Sequence, residues 1–166
     1  ESGPLPGSPL TPTDPHGWFG LGSRSTVLPY GSSSDVPLIT FAVENGLGTF
    51  VLKDHSGSSG LCQVIDVSAD AALIDIGRYR LFAEAWLGGM SSDPDSAKVD
   101  VLFLNSNGVL VGGGLKTLPA VSAAERNNQT KLIARFGDYG MPTGTKTIRL
   151  ELRFAHNAGV PNGLAD

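Results

Sequence analysis

The stretch that most constrains the fold is residues 145–154, TKTIRLELRF, in which apolar and polar side chains alternate without interruption. A β-strand directs successive side chains to opposite faces, so this segment is a strand with one row in a core and the other row outside it. The inward row is Ile148, Leu150, Leu152 and Phe154, and the outward row is Thr147, Arg149, Glu151 and Arg153. The outward row is either a solvated wall or a surface that holds a ligand.

Similar strand signals recur along the chain at short intervals. With 22 Gly and 11 Pro among 166 residues and only 17% charged residues, the chain is rich in turn formers. Strands at this spacing with almost no helix predict an all-β fold, an antiparallel β-sandwich of the jelly-roll type. Only 68–77 and 120–128 have the pattern of a helical turn. The other predicted strands are 24–30, 38–43, 49–53, 61–67, 78–87, 97–105, 109–118 and 131–136.

The chain divides into an arm and one domain. Residues 1–17 contain five prolines and no strand pattern, which predicts an extended arm or surface loop. Residues 18–166 are predicted to form the sandwich, and their number suffices for a substantial core.

Charge and hydropathy exclude two classes of partner. A net charge of −4 and a pI near 5.3 argue against nucleic acid, which favours basic surfaces. No apolar run approaches the roughly 20 residues that span a bilayer. The single Cys62 rules out a disulfide within the chain and is predicted to be an ordinary buried residue.

The clearest local unit is the hairpin of residues 97–115. Asn107-Gly108 is predicted to form a tight primed turn, because both residues tolerate positive φ angles. Three consecutive glycines in the returning strand, Gly112 to Gly114, predict a bulge or the close approach of another segment.

Six polar or aromatic residues are candidates for ligand binding. If the predicted strands 78–87, 131–136 and 145–154 are neighbours in one sheet, their outward rows share a single sheet face. An aromatic ring can pack against the apolar face of a pyranose, while charged side chains bond its hydroxyls. The alternative is a solvated face with cross-strand Arg–Glu pairs. The candidates are Glu84, Trp86, Arg135, Arg149, Glu151 and Arg153.

Several segments resemble one protein family. These are ESG at 1–3, GW at 17–18, the pair YRLFAEAWLGGM and AKVDVLFLNSNG, and the closing segment 140–166 with its Pro-x-Gly-Thr turn and Ala-Asp. Together they resemble secreted carbohydrate-binding modules with a galactose-binding-like jelly roll. The resemblance implies a non-catalytic module that binds a glycan or polysaccharide, or serves adhesion, in an extracellular or cell-surface protein.

The sequence departs from this family pattern at both ends. The pattern has a strand before Glu1 and another after Asp166, and neither is present in this sequence. Either these strands were trimmed, or they come from another chain. The second case predicts a structural subunit of an extracellular filament or surface assembly, in which homo-oligomers form by strand exchange.

The resemblance also implies a structural calcium ion near the meeting of the chain ends. By position in the motifs, its carboxylate ligands are Glu1 and Asp166. Calcium binds six to eight oxygen ligands, so carboxylates suit it. The alternative is that both residues lie in solvent.

Asn128 begins the sequon Asn-Gln-Thr and is a candidate glycosylation site.

Catalysis finds little support in the sequence. The three histidines, His16, His55 and His156, lie in segments with loop character, and the common hydrolase and metalloprotease motifs are absent. Glu84 and Glu151 could act as a glycosidase pair only if they face one another across a sheet. The prediction is therefore that the protein is not an enzyme.

Overall fold

A computed structural model describes residues 17–22, 25–45, 50–54, 59–157 and 161–166. Within these ranges the chain forms two five-stranded antiparallel sheets, which confirms the predicted β-sandwich. Apart from Gly17, the predicted arm lies outside the described residues. None of the helices in these ranges is long and apolar enough to cross a membrane.

Most strands that are consecutive in the sequence lie in different sheets, and two pairs of consecutive strands are hydrogen-bonded neighbours within a sheet. Sheet 1 has the order β1 (Trp18–Gly22), β4 (Ser59–Asp66), β9 (Thr147–Ala155), β6 (Ser96–Leu104) and β7 (Leu110–Leu118). Sheet 2 has the order β2 (Thr26–Pro29), β3 (Phe50–Lys53), β10 (Gly163–Ala165), β5 (Arg80–Gly89) and β8 (Lys131–Gly140).

The main core lies between the inner faces of the two sheets. The inward row of β9 is part of it, with Ile148 at 3%, Leu152 at 5% and Phe154 at 5% exposure. From the other sheet, Leu87 on β5 is fully buried against the same cluster, and Ala85 packs against it. The alternation in 145–154 therefore predicted correctly which row is buried.

Residues 38–43, predicted as a strand, instead belong to helix α1 (Ile39–Glu44), so that prediction was wrong. Periodicity cannot distinguish a short apolar run in a helix from one in a strand. Tertiary packing decides the outcome, because the helix buries Ala42 against Tyr30 and Val36 in a second, smaller core. This second core includes Leu132 and Leu164 of sheet 2, so α1 covers part of the outer face of that sheet.

The helical turn predicted for residues 68–77 is confirmed, because a 3-10 turn, Ser68–Asp70, is followed there by α2 (Ala71–Asp75). Residues 123–128 form turns rather than a helix. Their predicted capping box is present, because Ser122 Oγ accepts from the N–H of Glu125 and Glu125 Oε2 accepts from the N–H of Ser122.

The hairpin between β6 and β7 differs from the predicted primed turn. Gly108 has a φ of 71°, whereas Asn107 is absent from the positive-φ residues of the described chain. Asn105 closes the loop, because its carbonyl accepts from the N–H of Gly108 and its N–H donates to the carbonyl of Val109. The predicted bulge is confirmed, because the β6–β7 register shifts between Leu102 and Leu104.

Candidate functional site

Two exposed phenyl rings stand on the outer face of sheet 2. Phe82 on β5 is 75% exposed and Phe136 on β8 is 70% exposed. Phe82 lies opposite Asp138, and Phe136 lies opposite Glu84. The two phenylalanines are therefore diagonal cross-strand neighbours, which places them about 7–8 Å apart. We refer to this pair as the phenyl platform.

Charged side chains border the phenyl platform on both strands. The Arg80 guanidinium donates from Nε to Asp138 Oδ1 over 2.7 Å. Glu84 stands beside Phe82 in the outward row of β5 and is exposed. A shallow groove runs between the rings and these carboxylates, lined by Phe82, Glu84, Phe136 and Asp138. The surface thus combines flat apolar rings with hydrogen-bond acceptors and one guanidinium donor.

Trp86 fixes one end of this surface to the helix above it. Its indole meets the Phe41 ring edge-on, with centroids 5.8 Å apart and planes at 86°. Its Nε1–H donates to Glu84 Oε1 over 3.2 Å. The ring is half-buried in the second core, so it anchors Glu84 and leaves the two phenylalanines as the exposed aromatics.

The other predicted ligand residues lie on the opposite side of the molecule. Arg149, Glu151 and Arg153 point outward from β9, which belongs to sheet 1. Glu151 is 3% exposed and forms ion pairs with both arginines. Asp100 of β6 lies opposite Glu151 and is 3.7 Å from Nε of Arg153. These side chains form a compact ion-pair cluster.

The expectation that all six candidates share one face is therefore wrong. The strands β5 and β8 neighbour each other in sheet 2, while β9 lies in sheet 1, so their outer faces look in opposite directions. Glu84 and Trp86 share one surface; Arg149, Glu151 and Arg153 share the other.

Arg135 belongs to neither surface. It lies opposite Ala85, in the row of β8 that faces the other sheet. Its guanidinium donates to the carbonyls of Pro119 and Ala120 and to Glu125 Oε1. The predicted role in ligand binding conflicts with these contacts, because they tie the side chain to the β7–β8 connection.

A glycosidase pair of Glu84 and Glu151 is excluded by the same geometry, since the two carboxylates project from opposite sheets. His156 has a structural partner, because its Nδ1 lies 3.0 Å from Asp95 Oδ2. Asp95 also accepts from the backbone N–H groups of Asn157 and Asn162, which joins two loops. His16 and His55 lie outside the described residues.

Of the two predicted calcium ligands, only Asp166 lies within the described residues. Its Oδ2 accepts a bond of 2.7 Å from the Tyr30 hydroxyl, and burial raises the pKa of its carboxyl. Among the described residues, no group of three or more His, Cys, Asp or Glu side chains is placed to hold a metal ion. Because Glu1 lies outside the described residues, the calcium site stays a prediction.

Asn128 is exposed in the turn before β8, with a φ of 56°. Its glycosylation stays a prediction. Cys62 is fully buried, as expected, and burial raises the pKa of its thiol.

Neither phenylalanine of the phenyl platform was among the predicted ligand residues. The alternation in 78–87 places Phe82 in the outward row with Glu84 and Trp86, so its position on the surface could be predicted from the sequence. Phe136 shares its row with Leu132, which α1 covers, whereas the choice of Arg135 as an outward residue implies that this row faces the core. The register with β5 is what places Phe136 beside Phe82.

Comparison with known proteins supports the architecture. No family model matches the chain, and no curated protein is similar to it. It is similar to the CBM22-1-GH10 modules of Clostridium thermocellum endo-1,4-beta-D-xylanase 10B complexed with xylohexaose, at 11% identity and a TM-score of 0.52. That match covers 90% of this chain but spans only 25% of the xylanase chain.

Two further solved structures are similar at lower scores. One is the enzymatically active domain of bacteriophage CBA120 tailspike protein 4, at 16% identity and a TM-score of 0.49, over 90% of this chain and 18% of that chain. The other is TmCBM61 in complex with β-1,4-galactotriose, at 13% identity and a TM-score of 0.44, over 89% and 81% of the two chains. Structures with carbohydrate-binding modules are thus among its neighbours, and the chain has their β-sandwich fold.

Proposed function

We propose that this protein is a non-catalytic module of an extracellular or cell-surface protein and that it binds a glycan on the phenyl platform. The observation that carries the proposal is the pair of adjacent phenylalanines, each at least 70% exposed on regular strands. Large exposed apolar side chains are costly in water and mark interaction sites when they are contiguous. Strands hold such rings more precisely than loops do.

The surroundings of the rings suit a sugar better than a purely apolar partner. Each ring can pack on the apolar face of a pyranose. Glu84 and Asp138 can accept bonds from sugar hydroxyls, and Arg80 can donate to them. Because two rings stand side by side, we expect an oligosaccharide chain rather than a single sugar. With two carboxylates and one guanidinium, we expect a neutral glycan rather than an acidic one.

The experiment is a glycan array followed by isothermal titration of the best neutral oligosaccharide. Phe82→Ala and Phe136→Ala should each weaken binding about 2- to 10-fold, since an aromatic contact contributes about 0.5–1.5 kcal/mol. The double variant should lose most of the affinity. Leu115→Ala serves as the matched control, because Leu115 is 53% exposed on the outer face of sheet 1.

Two results would remove the proposal. The first is an array without any hit on protein that unfolds cooperatively. The second is a hit whose affinity the double variant leaves unchanged, which would place the sugar elsewhere. Loss of binding in Leu115→Ala would point instead to the face of sheet 1.

A further inference from the structure

The chain contains three Asn-Gly dipeptides, at 45–46, 107–108 and 162–163. In such a pair the backbone nitrogen of the glycine can attack the side-chain amide of the asparagine, because glycine has no Cβ to hinder a close approach. The product is an aspartyl or isoaspartyl residue. Gly46 lies outside the described residues, which leaves two pairs whose surroundings are known.

The first of these pairs, Asn107-Gly108, lies in the open. It belongs to the β6–β7 loop, in which residues 106–110 are all exposed. Within the described ranges, the side-chain amide of Asn107 has no hydrogen-bond partner. A Cβ placed on Gly108 would meet no atom within 4 Å beyond its chain neighbours. The surroundings therefore leave room for a ring to close between the two residues.

Asn105 holds this loop closed with three hydrogen bonds. Its carbonyl accepts from the Gly108 N–H over 3.0 Å. Its side-chain Oδ1 accepts from the N–H groups of Asn107 and Val109 over 2.9 and 3.0 Å. The bond to Gly108 occupies the nitrogen that must attack, so the reaction requires the loop to open. Opening is frequent in an exposed loop, because loops lie at the low end of local stability.

The second pair, Asn162-Gly163, is held inside the fold. Asn162 is 4% exposed, and its Nδ2 donates to Asp93 Oδ2 over 2.9 Å. Gly163 pairs with Gly89 in sheet 2, and a Cβ placed on it would lie 2.8 Å from the carbonyl oxygen of Ser96. The surroundings leave no space for a ring, so this pair can react only after β10 has left the sheet.

We propose that Asn107 is a site of spontaneous deamidation and that the fold protects Asn162 from the same reaction. When the loop opens, the Gly108 nitrogen loses its proton to hydroxide and forms a bond to Cγ of Asn107. The Cγ–Nδ2 bond breaks, and ammonia leaves with a proton taken from water. Water then opens the cyclic imide at either of its carbonyls, which yields aspartate or isoaspartate without any change in oxidation state. The product carries one more negative charge than the −4 of the original chain.

The isoaspartyl product changes the loop as well as the charge. Its main chain runs through Cγ, which inserts a methylene group between residue 107 and Gly108. We expect the lengthened loop to lose the bond from the Val109 N–H to Asn105 Oδ1. The change is confined to a hairpin of sheet 1, whereas the phenyl platform lies on sheet 2, so the inference is independent of glycan binding.

The test is incubation of the folded protein at pH 8 and 37 °C, followed by peptide mapping with a fragmentation method that separates aspartate from isoaspartate. Asn107 should accumulate both products at least tenfold faster than Asn162, because a buried residue reacts only from opened states. The matched control is the same protein in concentrated urea, where both pairs should react at similar rates. Deamidation of Asn107 should be slower at pH 6, since the attacking nitrogen must lose its proton.

Two variants test the mechanism. Asn107→Gln should abolish the fast reaction, because the longer side chain closes the imide ring far less readily. Asn105→Ala removes the two side-chain bonds that hold the loop and should accelerate the reaction at Asn107. The mapping of the unsubstituted protein decides the matter if a variant fails to fold.

Three results would overturn the proposal. One is an equal rate at Asn107 and Asn162 in the folded protein, because the fold would then not discriminate between them. Another is an Asn107 that stays intact in the folded protein and reacts only in urea, since the loop bonds would then protect it. The third is an unchanged rate in a folded Asn105→Ala variant, which would contradict the opening step.

Discussion

Trp86 donates its indole N–H to Glu84, two residues earlier in the same outward row of β5. The same indole packs against Phe41 of α1, with the two ring planes nearly perpendicular. One side chain therefore joins the helix, the sheet and the carboxylate beside the phenyl platform. This makes Trp86 a structural residue first, and its removal a poor test of ligand binding.

Trp86→Ala should lower the free energy of unfolding by about 2–3 kcal/mol, below the 3–5 kcal/mol typical of fully buried aromatics because the ring is only half-buried. Trp86→Phe should cost less, since it retains an aromatic contact with Phe41. Urea denaturation measures both. Phe82→Ala is the matched control and should change stability by no more than about 0.5 kcal/mol, because its ring is exposed. Equal losses in the two alanine variants would refute this assignment.

Glu151→Ala should destabilise the protein by about 1.5 kcal/mol, the lower end for hydrogen bonds to a charged group, because solvent screens the guanidiniums of Arg149 and Arg153, which are 37% and 51% exposed. Asp138→Ala removes a comparable carboxylate from an exposed pair, in which Arg80 and Asp138 side chains are 55% and 46% accessible. That variant should cost less than about 1 kcal/mol. Chemical denaturation at neutral pH compares them. Similar values would mean that the Glu151 cluster behaves as a surface pair.

The ion pair of His156 predicts a pH dependence. Its hydrogen bond to Asp95 raises the pKa of the imidazole above its ordinary value of 6.5. The folded state then binds the proton more tightly than the unfolded state. The contribution to stability is complete below pH 6.5 and is lost as the pH rises through the folded pKa. Urea midpoints at pH 5.5 and 8.5 should differ less in His156→Gln than in the unsubstituted protein. An identical difference in both would show that Asp95 holds this loop without help from the imidazolium charge.

Glu125 predicts the opposite dependence. Bonds from the backbone N–H of Ser122 and from Arg135 lower the pKa of its carboxyl from 4.5 to about 2. Its contribution is complete above pH 4.5 and disappears as the pH falls toward 2. Because Glu125 is exposed, Glu125→Gln should cost no more than about 1 kcal/mol at pH 7. This cost should shrink between pH 4 and pH 2.5 in thermal unfolding scans. A cost that is constant with pH would mean that the capping bond alone matters.

Side-chain alternation predicted eight of the ten described strands and the buried row of β9, because each depends on local pattern and on burial. It missed the short strands β1 and β10, and it predicted a strand where α1 lies. It could not give the neighbour of each strand. The six ligand candidates were placed on one face by assuming that β9 lies beside β5, whereas β4 and β6 are its neighbours. Strand order depends on contacts between distant segments, which no window of sequence contains.

Strand β8 shows a second limit. Leu132 and Ile133 are both apolar and belong to opposite rows, so the pattern does not say which row faces the core. The structure has two cores, one on each side of this strand, and it buries Leu132 under α1 and packs Ile133 between the sheets. Phe136 belongs to the row of Leu132 and therefore lies on the outer face of sheet 2. Arg135 belongs to the row of Ile133 and therefore faces the other sheet, the reverse of what we expected for both residues.

The central place of β10 in sheet 2 also sets an order of events during synthesis. Lys53 on β3 pairs with Leu164 on β10. Because synthesis adds about 5–20 residues per second, β10 is made several seconds after β3. Until then, the backbone N–H and C=O groups of β3 and β5 that β10 later pairs with can bond to other nascent chains. We therefore expect that a chaperone that shields strand edges would raise the yield of this protein, and that production at low temperature would favour its recovery.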